Sequence, residues 1–329
     1  MSDTRRIPRH QPIKTVAVVL GAPEHIGLQT LDLPALTDEQ IVVDLQVSGI
    51  STGTEKLLYT GQMPSFPGMG YPLVPGYESV GIVSKAGTKS GLTEGQTVFV
   101  PGAQCYGEIR GLFGGSAKRL LVPGVRAVPI DAALGADAAL IALAATAYHA
   151  VAGNGQIDAI RAPELIVGHG VLGRLLARMT IAAGFAAPTV WEIDPVRAAG
   201  AQGYTVCSPA DDPRRDYRNV YDVSGDSAIL DTLISRMAAG GEIVLAGFYS
   251  QSLNFMFAPA FMREVRIRVA AQWGPWDLRA VTELLASGQL SLAGLITHTM
   301  PATAAAQAYH TAFNDPHCLK MVLDWRHCA

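Results

Sequence analysis

The chain has 329 residues, enough for one large domain or two ordinary ones. Hydrophobic residues make up 49% and charged residues 16%, which supports a sizeable core and excludes a disordered chain. A net charge of −3 excludes a general electrostatic attraction to nucleic acid.

Arg5, Arg6, Arg9 and His10 cluster near the start without an apolar run behind them, so they read as a frayed basic tail rather than a secretory signal. Two β-rich runs follow, Thr15 to Leu20 and Ile41 to Val47, closed by Gly21 and by Ser48-Gly49. Glycine and proline are dense between residues 61 and 76, which predicts a long irregular loop, and long ordered loops are usually functional. Val80 to Val83 and Thr97 to Val100 are further strands. The apolar stretch 138–152 is interrupted by Thr146, Tyr148 and His149, too short and too polar to span a bilayer. His149 reads as a packed helix residue.

From about Glu164 the period changes. Leu165-Ile166-Val167-Gly168 is a short buried strand, and an apolar helix pattern runs from Leu172 through Leu176 and Met179 to Gly184. Strands at Val190-Trp191, Val220 to Val223, Ile243 to Ala246 and Val265 to Ala271 flank a helix from Ala228 to Met237. Strands alternating with helices predict an α/β domain with a doubly wound parallel sheet. Cys105, Cys207, Cys318 and Cys328 form no C-x-x-C pair, so neither a disulfide framework nor a zinc knuckle is indicated; scattered thiols fit a reducing cytoplasm.

Gly168-His169-Gly170-Val171-Leu172-Gly173 is a G-x-G-x-x-G run. It follows a strand and opens a helix, as a dinucleotide site requires. Gly168 allows the tight turn, Gly170 lets the backbone approach a pyrophosphate at the helix N-terminus, and Gly173 permits close helix–sheet packing. His169, at the variable middle position, reads as a packing residue. An acid about 20 positions further on normally binds the adenosine ribose. Glu192 stands at that spacing and Asp194 two residues later. An acid there favours NAD over NADP, because it repels a 2′-phosphate; Arg197 leaves the NADP alternative open.

Two further runs carry a resemblance. Gly49-Ile50-Ser51-Thr52-Gly53-Thr54 and Pro75-Gly76-Tyr77-Glu78-Ser79-Val80-Gly81 are similar to the G-x-C-x-x-D and P-G-H-E-x-x-G runs of medium-chain dehydrogenases. The resemblance to that superfamily covers nearly the whole chain. It implies a GroES-like, β-rich catalytic domain in residues 1–150 and 290–329 around a Rossmann nucleotide-binding domain in residues 151–289. It implies that Ser51, Tyr77 and Ala142 occupy the three catalytic zinc-ligand positions, so no metal is expected. It assigns Thr146 and Gly247 to the nicotinamide, Ser224 and Gly225 to a later turn of the cofactor site, and Lys320 to the pyrophosphate. It also implies that relatives dimerise through the last Rossmann strand. A homodimer edge at Val265 to Val269 is therefore possible, although Arg266 and Arg268 could equally guard that edge.

Longer runs, among them Ser48 to Leu58, Phe66 to Ser79 and Asp222 to Asp226, resemble one branch. This branch contains the bacteriochlorophyllide dehydrogenases of bacteriochlorophyll a synthesis. The resemblance implies oxidation of a 1-hydroxyethyl group on ring A to an acetyl group, with NAD as acceptor and a tetrapyrrole as substrate. Without zinc, the alcohol proton must be handled by hydrogen bonds or a base. Ser51 and Thr52 are expected to position the hydroxyl, and Tyr77 or Glu78 to pass its proton on. Lys56, after Glu55, reads as a surface pair. A flat macrocycle needs a wide apolar pocket, for which Met63, Phe66, Met69 and Tyr71 of the glycine-rich loop, and Trp273, are candidates. Two other readings stay open: a zinc-free NADPH-dependent enoyl or quinone reductase, and a non-catalytic nucleotide-binding module.

Overall fold

The computed structural model describes residues 13–152, 161–270 and 272–328, and three sheets carry them. The basic cluster at Arg5 to His10 lies outside the described residues.

The six-stranded sheet is parallel throughout. Its strands run Thr205–Cys207, Thr189–Trp191, Leu165–Val167, Tyr217–Asp222, Met237–Leu245 and Arg266–Val269 across the sheet. The chain reverses direction of winding between Leu165–Val167 and Tyr217–Asp222, which opens a crevice at their carboxyl ends. Several elements differ from expectation: the strand Thr205–Cys207 is not among those expected, and the strand expected at Ile243 begins at Met237. The expected helix from Ala228 shortens to Leu230–Arg236, because Asp226 first turns the chain by accepting the Ala228 N–H at 2.9 Å. The fourth strand starts early, at Tyr217, whose buried ring and hydroxyl bond to Asp212 extend it.

The seven-stranded sheet is built on the long strand Gln40–Ile50, with Ser79–Ala86 on one side and Met321–Asp324 on the other. Both neighbours are antiparallel, and their registers decide what meets at its end. Met321 lies opposite Ile50, and Ser79 opposite Ser48. Residues 48–51, 77–79 and 320–321, remote in sequence, therefore share one sheet end. His298–Pro301 follows Met321–Asp324 at the edge, so the C-terminal segment returns to the sheet of the N-terminal half. The smaller sheet orders His25–Leu33, Ile13–Ala22, Leu73–Val74 and Arg110–Gly111.

The helix Ile141–Ala152 joins the two larger sheets. Its alanines pack in one apolar core with Val47, Val80, Phe99 and Val322 of one sheet and Ile166, Val190 and Val244 of the other. Small side chains let both layers approach the helix closely. With the 3-10 turn before it, the helical run Ala132–Ala152 is longer than the sequence pattern suggested, and long and apolar enough to cross a membrane. Here it is packed inside the protein, with Ala139, Leu140, Ile141 and Ala142 fully buried.

Candidate active site

The glycine run forms a cradle at the carboxyl end of the parallel sheet. Gly168 has φ 102°, and a Cβ there would lie 3.2 Å from the Ser224 Cα. A Cβ on Gly247 would lie 3.4 Å from the Gly225 nitrogen. The structure thus brings Gly168, Ser224, Gly225 and Gly247 together. Gly170 faces open space. It begins the helix Val171–Ala182 without a side-chain cap, which leaves the first amides free for an anion. Val171 is buried and Leu172 half-buried in that first turn. A methyl on Gly173 would fall on the Gly168 carbonyl oxygen. Gly173→Ala is therefore expected to force helix and loop apart and weaken NADH binding by about tenfold or more. Fluorescence titration with NADH measures this.

Glu192 ties the cradle to the next strand. Its carboxylate accepts the His169 N–H at 3.0 Å and the Ile193 and Asp194 N–H groups at 2.9 Å each. These donors fix its orientation beside the glycine loop, with acceptor capacity left for ribose hydroxyls. Asp194 is otherwise engaged: its carboxylate accepts the Val196 N–H at 2.8 Å and caps the short helix Pro195–Ala198. The Arg197 side chain is exposed, and its carbonyl accepts from His169 and Arg174. His169 is fully buried, its other ring nitrogen 2.7 Å from the Tyr204 hydroxyl, a packing role as expected. His149 is likewise a buried packing residue, bonded to Asp277 at 2.8 Å. Thr146 bonds back to the Ala142 carbonyl at 3.0 Å on the central helix. The open helix start, the absent side chain at Gly170 and the held carboxylate together fit a dinucleotide.

The second half of the site lies at the shared sheet end. Ser51, Tyr77 and Ala142 stand where the resemblance places metal ligands, and none offers a thiolate or an imidazole. Among the described residues no group of three His, Cys, Asp or Glu side chains is placed to hold a metal. Instead, the Tyr77 hydroxyl donates to the Ser51 Oγ at 2.8 Å, and the Thr54 N–H points at the same oxygen at 3.4 Å. The Tyr77 ring packs edge-on against Phe113 at 5.5 Å. Burial pushes the Tyr77 phenol upward and the neighbouring Glu78 charge adds to it, so it stays protonated and acts as a donor. Thr52 is exposed on the turn beyond Ser51.

Glu78 is buried and ion-paired with the equally buried Lys320. Burial pushes the Glu78 carboxyl up, with the Lys320 ammonium opposing. Gly49 makes room for the pair: a Cβ at that position would overlap the Glu78 carboxylate. Lys320, expected at the pyrophosphate, is instead committed to Glu78.

Sequence reasoning missed Glu55 and Tyr309. Glu55 is buried, and its carboxylate accepts the Ser51 N–H at 3.1 Å and the Tyr309 hydroxyl at 2.5 Å. One signal was available: Glu55 precedes Leu58 by three residues, which puts both on the inner face of the helix Thr54–Thr60. The surface pair expected of Glu55 and Lys56 does not form. Helix geometry turns Glu55 inward, and the exposed Lys56 bonds to the Phe313 carbonyl at 3.2 Å.

The substrate candidates are not assembled into one pocket. Met63, Met69 and Tyr71 pack with Leu20, Leu58, Leu73 and Leu112 under the loop, and the Tyr71 hydroxyl bonds to the Leu58 carbonyl. Phe66 stands exposed at the loop tip. Trp273 lines a separate groove of about 440 Å³ with Pro101, Val128, Pro275 and Leu278.

Comparison with known proteins agrees with this layout. Residues 37–132 match the alcohol dehydrogenase GroES-like domain family. The chain is 58% identical to 2-desacetyl-2-hydroxyethyl bacteriochlorophyllide A dehydrogenase of Cereibacter sphaeroides, over 96% of this chain and 100% of that protein. It is 53% identical to the protein of that name from Rhodobacter capsulatus, over 95% and 99%. Among solved structures, L-idonate 5-dehydrogenase from Escherichia coli superposes with a TM-score of 0.81 at 21% identity, covering 95% of this chain and 99% of that one.

Proposed function

The chain belongs to the family of 2-desacetyl-2-hydroxyethyl bacteriochlorophyllide A dehydrogenases, and from that membership we propose that it oxidises the hydroxyethyl side chain of a bacteriochlorophyllide to an acetyl group, with NAD as acceptor and without a catalytic metal. The observation that carries the chemistry is the hydroxyl pair of Ser51 and Tyr77 at the former ligand positions.

A bound NAD would supply the hydride acceptor for oxidation at the alcohol carbon. Gly168, Gly170, Gly173 and the first turn of the helix Val171–Ala182 would hold its pyrophosphate, Glu192 its ribose, and Thr146, Ser224, Gly225 and Gly247 would border the nicotinamide end. The Glu192 carboxylate disfavours a 2′-phosphate, which selects NAD over NADP.

The protein's own residues manage the hydroxyl. The Ser51 oxygen already accepts from Tyr77, so its own proton is free to face the substrate oxygen. As negative charge develops there, Tyr77 polarises Ser51 and Ser51 stabilises the oxygen, a fixed hydrogen-bond chain in place of a Lewis acid. Thr52 meets the hydroxyl from the solvent side, where the released proton leaves. Glu78 acts through its charge, balanced by Lys320, rather than by direct contact. Phe66, over the apolar base of Met63, Met69 and Tyr71, offers the macrocycle a face; Trp273 lines its separate groove and is not part of that face.

The test is absorbance of the protein mixed with NAD and the hydroxyethyl bacteriochlorophyllide. A red-shifted macrocycle band forming in step with NADH is the expected result. No spectral change with NAD or NADP, despite tight nucleotide binding, would reject this activity.

A further inference from the structure

We propose that Glu55 and Tyr309 are a positioning pair that holds Ser51 in place for the reacting hydroxyl, and that the ionised form of Glu55 holds it more firmly than the neutral acid. This rests on the reading of Ser51 as the residue that faces the substrate.

The geometry is that of a strap across the chain. Ser51 directly follows the long central strand Gln40–Ile50, Glu55 is the second residue of the next helix, and Tyr309 belongs to the helix Ala305–Asn314 near the C-terminus. All three are buried. Both groups bonded to the Glu55 carboxyl are donors, the Ser51 N–H and the Tyr309 hydroxyl. A carboxylate accepts both at full strength. A neutral acid carries a proton on one oxygen, and that oxygen becomes a poor acceptor. Protonation on the oxygen facing Tyr309 reverses that contact, the acid then donating to the phenol oxygen, and leaves the other oxygen only a neutral, weaker acceptor for the Ser51 N–H, so the hold on Ser51 loosens without being lost.

Every group facing Glu55 bears on when this happens. Burial pushes its carboxyl up to about 7, opposed by Tyr309, by the Ser51 N–H and by the Lys320 ammonium, while the Glu78 charge pushes it further up. Tyr77, bonded to Ser51, faces the same cluster as a protonated phenol. A folded value above the ordinary carboxylate value means that the firmer, ionised form is present above about 7 and gives way to the weaker one as pH falls below it.

The experiment is the pH profile of kcat/KM for the hydroxyethyl bacteriochlorophyllide, read for the full-length protein and two variants. The wild type should fall to a lower plateau as pH drops below about 7. Glu55→Gln should be flat through that range at about the level of the wild type's acid side, since its amide oxygen, like the neutral acid, is only a neutral acceptor for the Ser51 N–H at every pH. Tyr309→Phe removes a donor that favours the carboxylate, so its acid limb should move to higher pH. A purely structural role would lower the profiles without reshaping them, and an unaltered limb in Glu55→Gln would overturn the proposal. An infrared difference titration of wild type against Glu55→Gln, without substrate, reads the same carboxyl directly. Absence of a neutral-range carboxyl band in it overturns the pair whether or not the macrocycle reacts. If the band titrates as expected while no macrocycle oxidation occurs at any pH, the proposed activity fails, and the catalytic role of the pair with it.

Discussion

Replacing Lys320 by methionine is expected to destabilise the fold by about 3–5 kcal/mol, the usual cost of leaving a buried charge without its partner. Lys320 and Glu78 are both almost wholly inaccessible, and they belong to segments brought together only by the sheet register. Methionine matches the stem of lysine in length, so the loss would report charge rather than volume. The sign with pH can be worked out. Without Lys320 the Glu78 carboxyl is pushed still higher, so in the folded variant it takes a proton more readily than in the unfolded chain. Stability of the variant then falls as pH rises through the range between those two values, and the deficit against wild type is largest in alkali and narrows in acid. The double variant Glu78→Gln with Lys320→Met removes both charges and should recover most of the stability, because no unpaired charge remains. Urea midpoints of the three proteins at two pH values measure this. A deficit below about 1 kcal/mol for Lys320→Met would mean that water reaches the pair. NADH affinity of the double variant serves a second purpose: if Lys320 turned to the pyrophosphate when cofactor binds, that affinity would drop even though stability had returned.

The contrast between Lys320 and the glycine run shows what the sequence makes legible. Gly168, Gly170 and Gly173 can be read directly because each is required by local geometry: a left-handed φ, an open approach, a contact too close for a Cβ. Glu192 can be read because its distance from them is set by one helix and one strand. The parallel sheet is legible from the alternation of short apolar strands with helical periods. The polar cluster beneath Ser51 is not local in this sense. Glu78 meets Lys320, and Glu55 meets Tyr309, across 242 and 254 positions (320 less 78; 309 less 55), through registers no pattern along the chain specifies. Within the short helix Thr54–Thr60 only the single spacing of Glu55 to Leu58 points Glu55 inward. The loop between residues 61 and 76 misleads for a related reason. Its apolar side chains follow no strand period and so suggest a binding surface, yet Met63, Met69 and Tyr71 fill the space beneath the loop itself.

Ser51→Ala is expected to lower kcat by about 10²–10³-fold, the range found when one hydrogen-bond donor to a developing oxyanion is removed. Ser51 is buried and its oxygen is fixed by Tyr77, so no water of equal order can replace it without displacing the phenol. Tyr77→Phe should cost less, about tenfold, because it removes the polarising donor and leaves the hydroxyl that faces the substrate. The informative quantity is the double variant. If Tyr77 acts only through Ser51, the two losses cannot add: once Ser51 is alanine, the phenol has nothing to polarise, and Ser51→Ala with Tyr77→Phe should turn over no more slowly than Ser51→Ala alone. Additive losses would instead place the Tyr77 hydroxyl on the substrate itself. NADH binding gives the control, since the cradle around Gly170 and Glu192 is held by bonds that involve neither residue. The same logic separates this site from a metal-based one. A single zinc concentrates oxyanion stabilisation in one ion, so loss of any ligand is close to total. A hydrogen-bond chain divides the work unequally between the group that touches the oxygen and the group behind it, and the ratio of the two single losses measures that division.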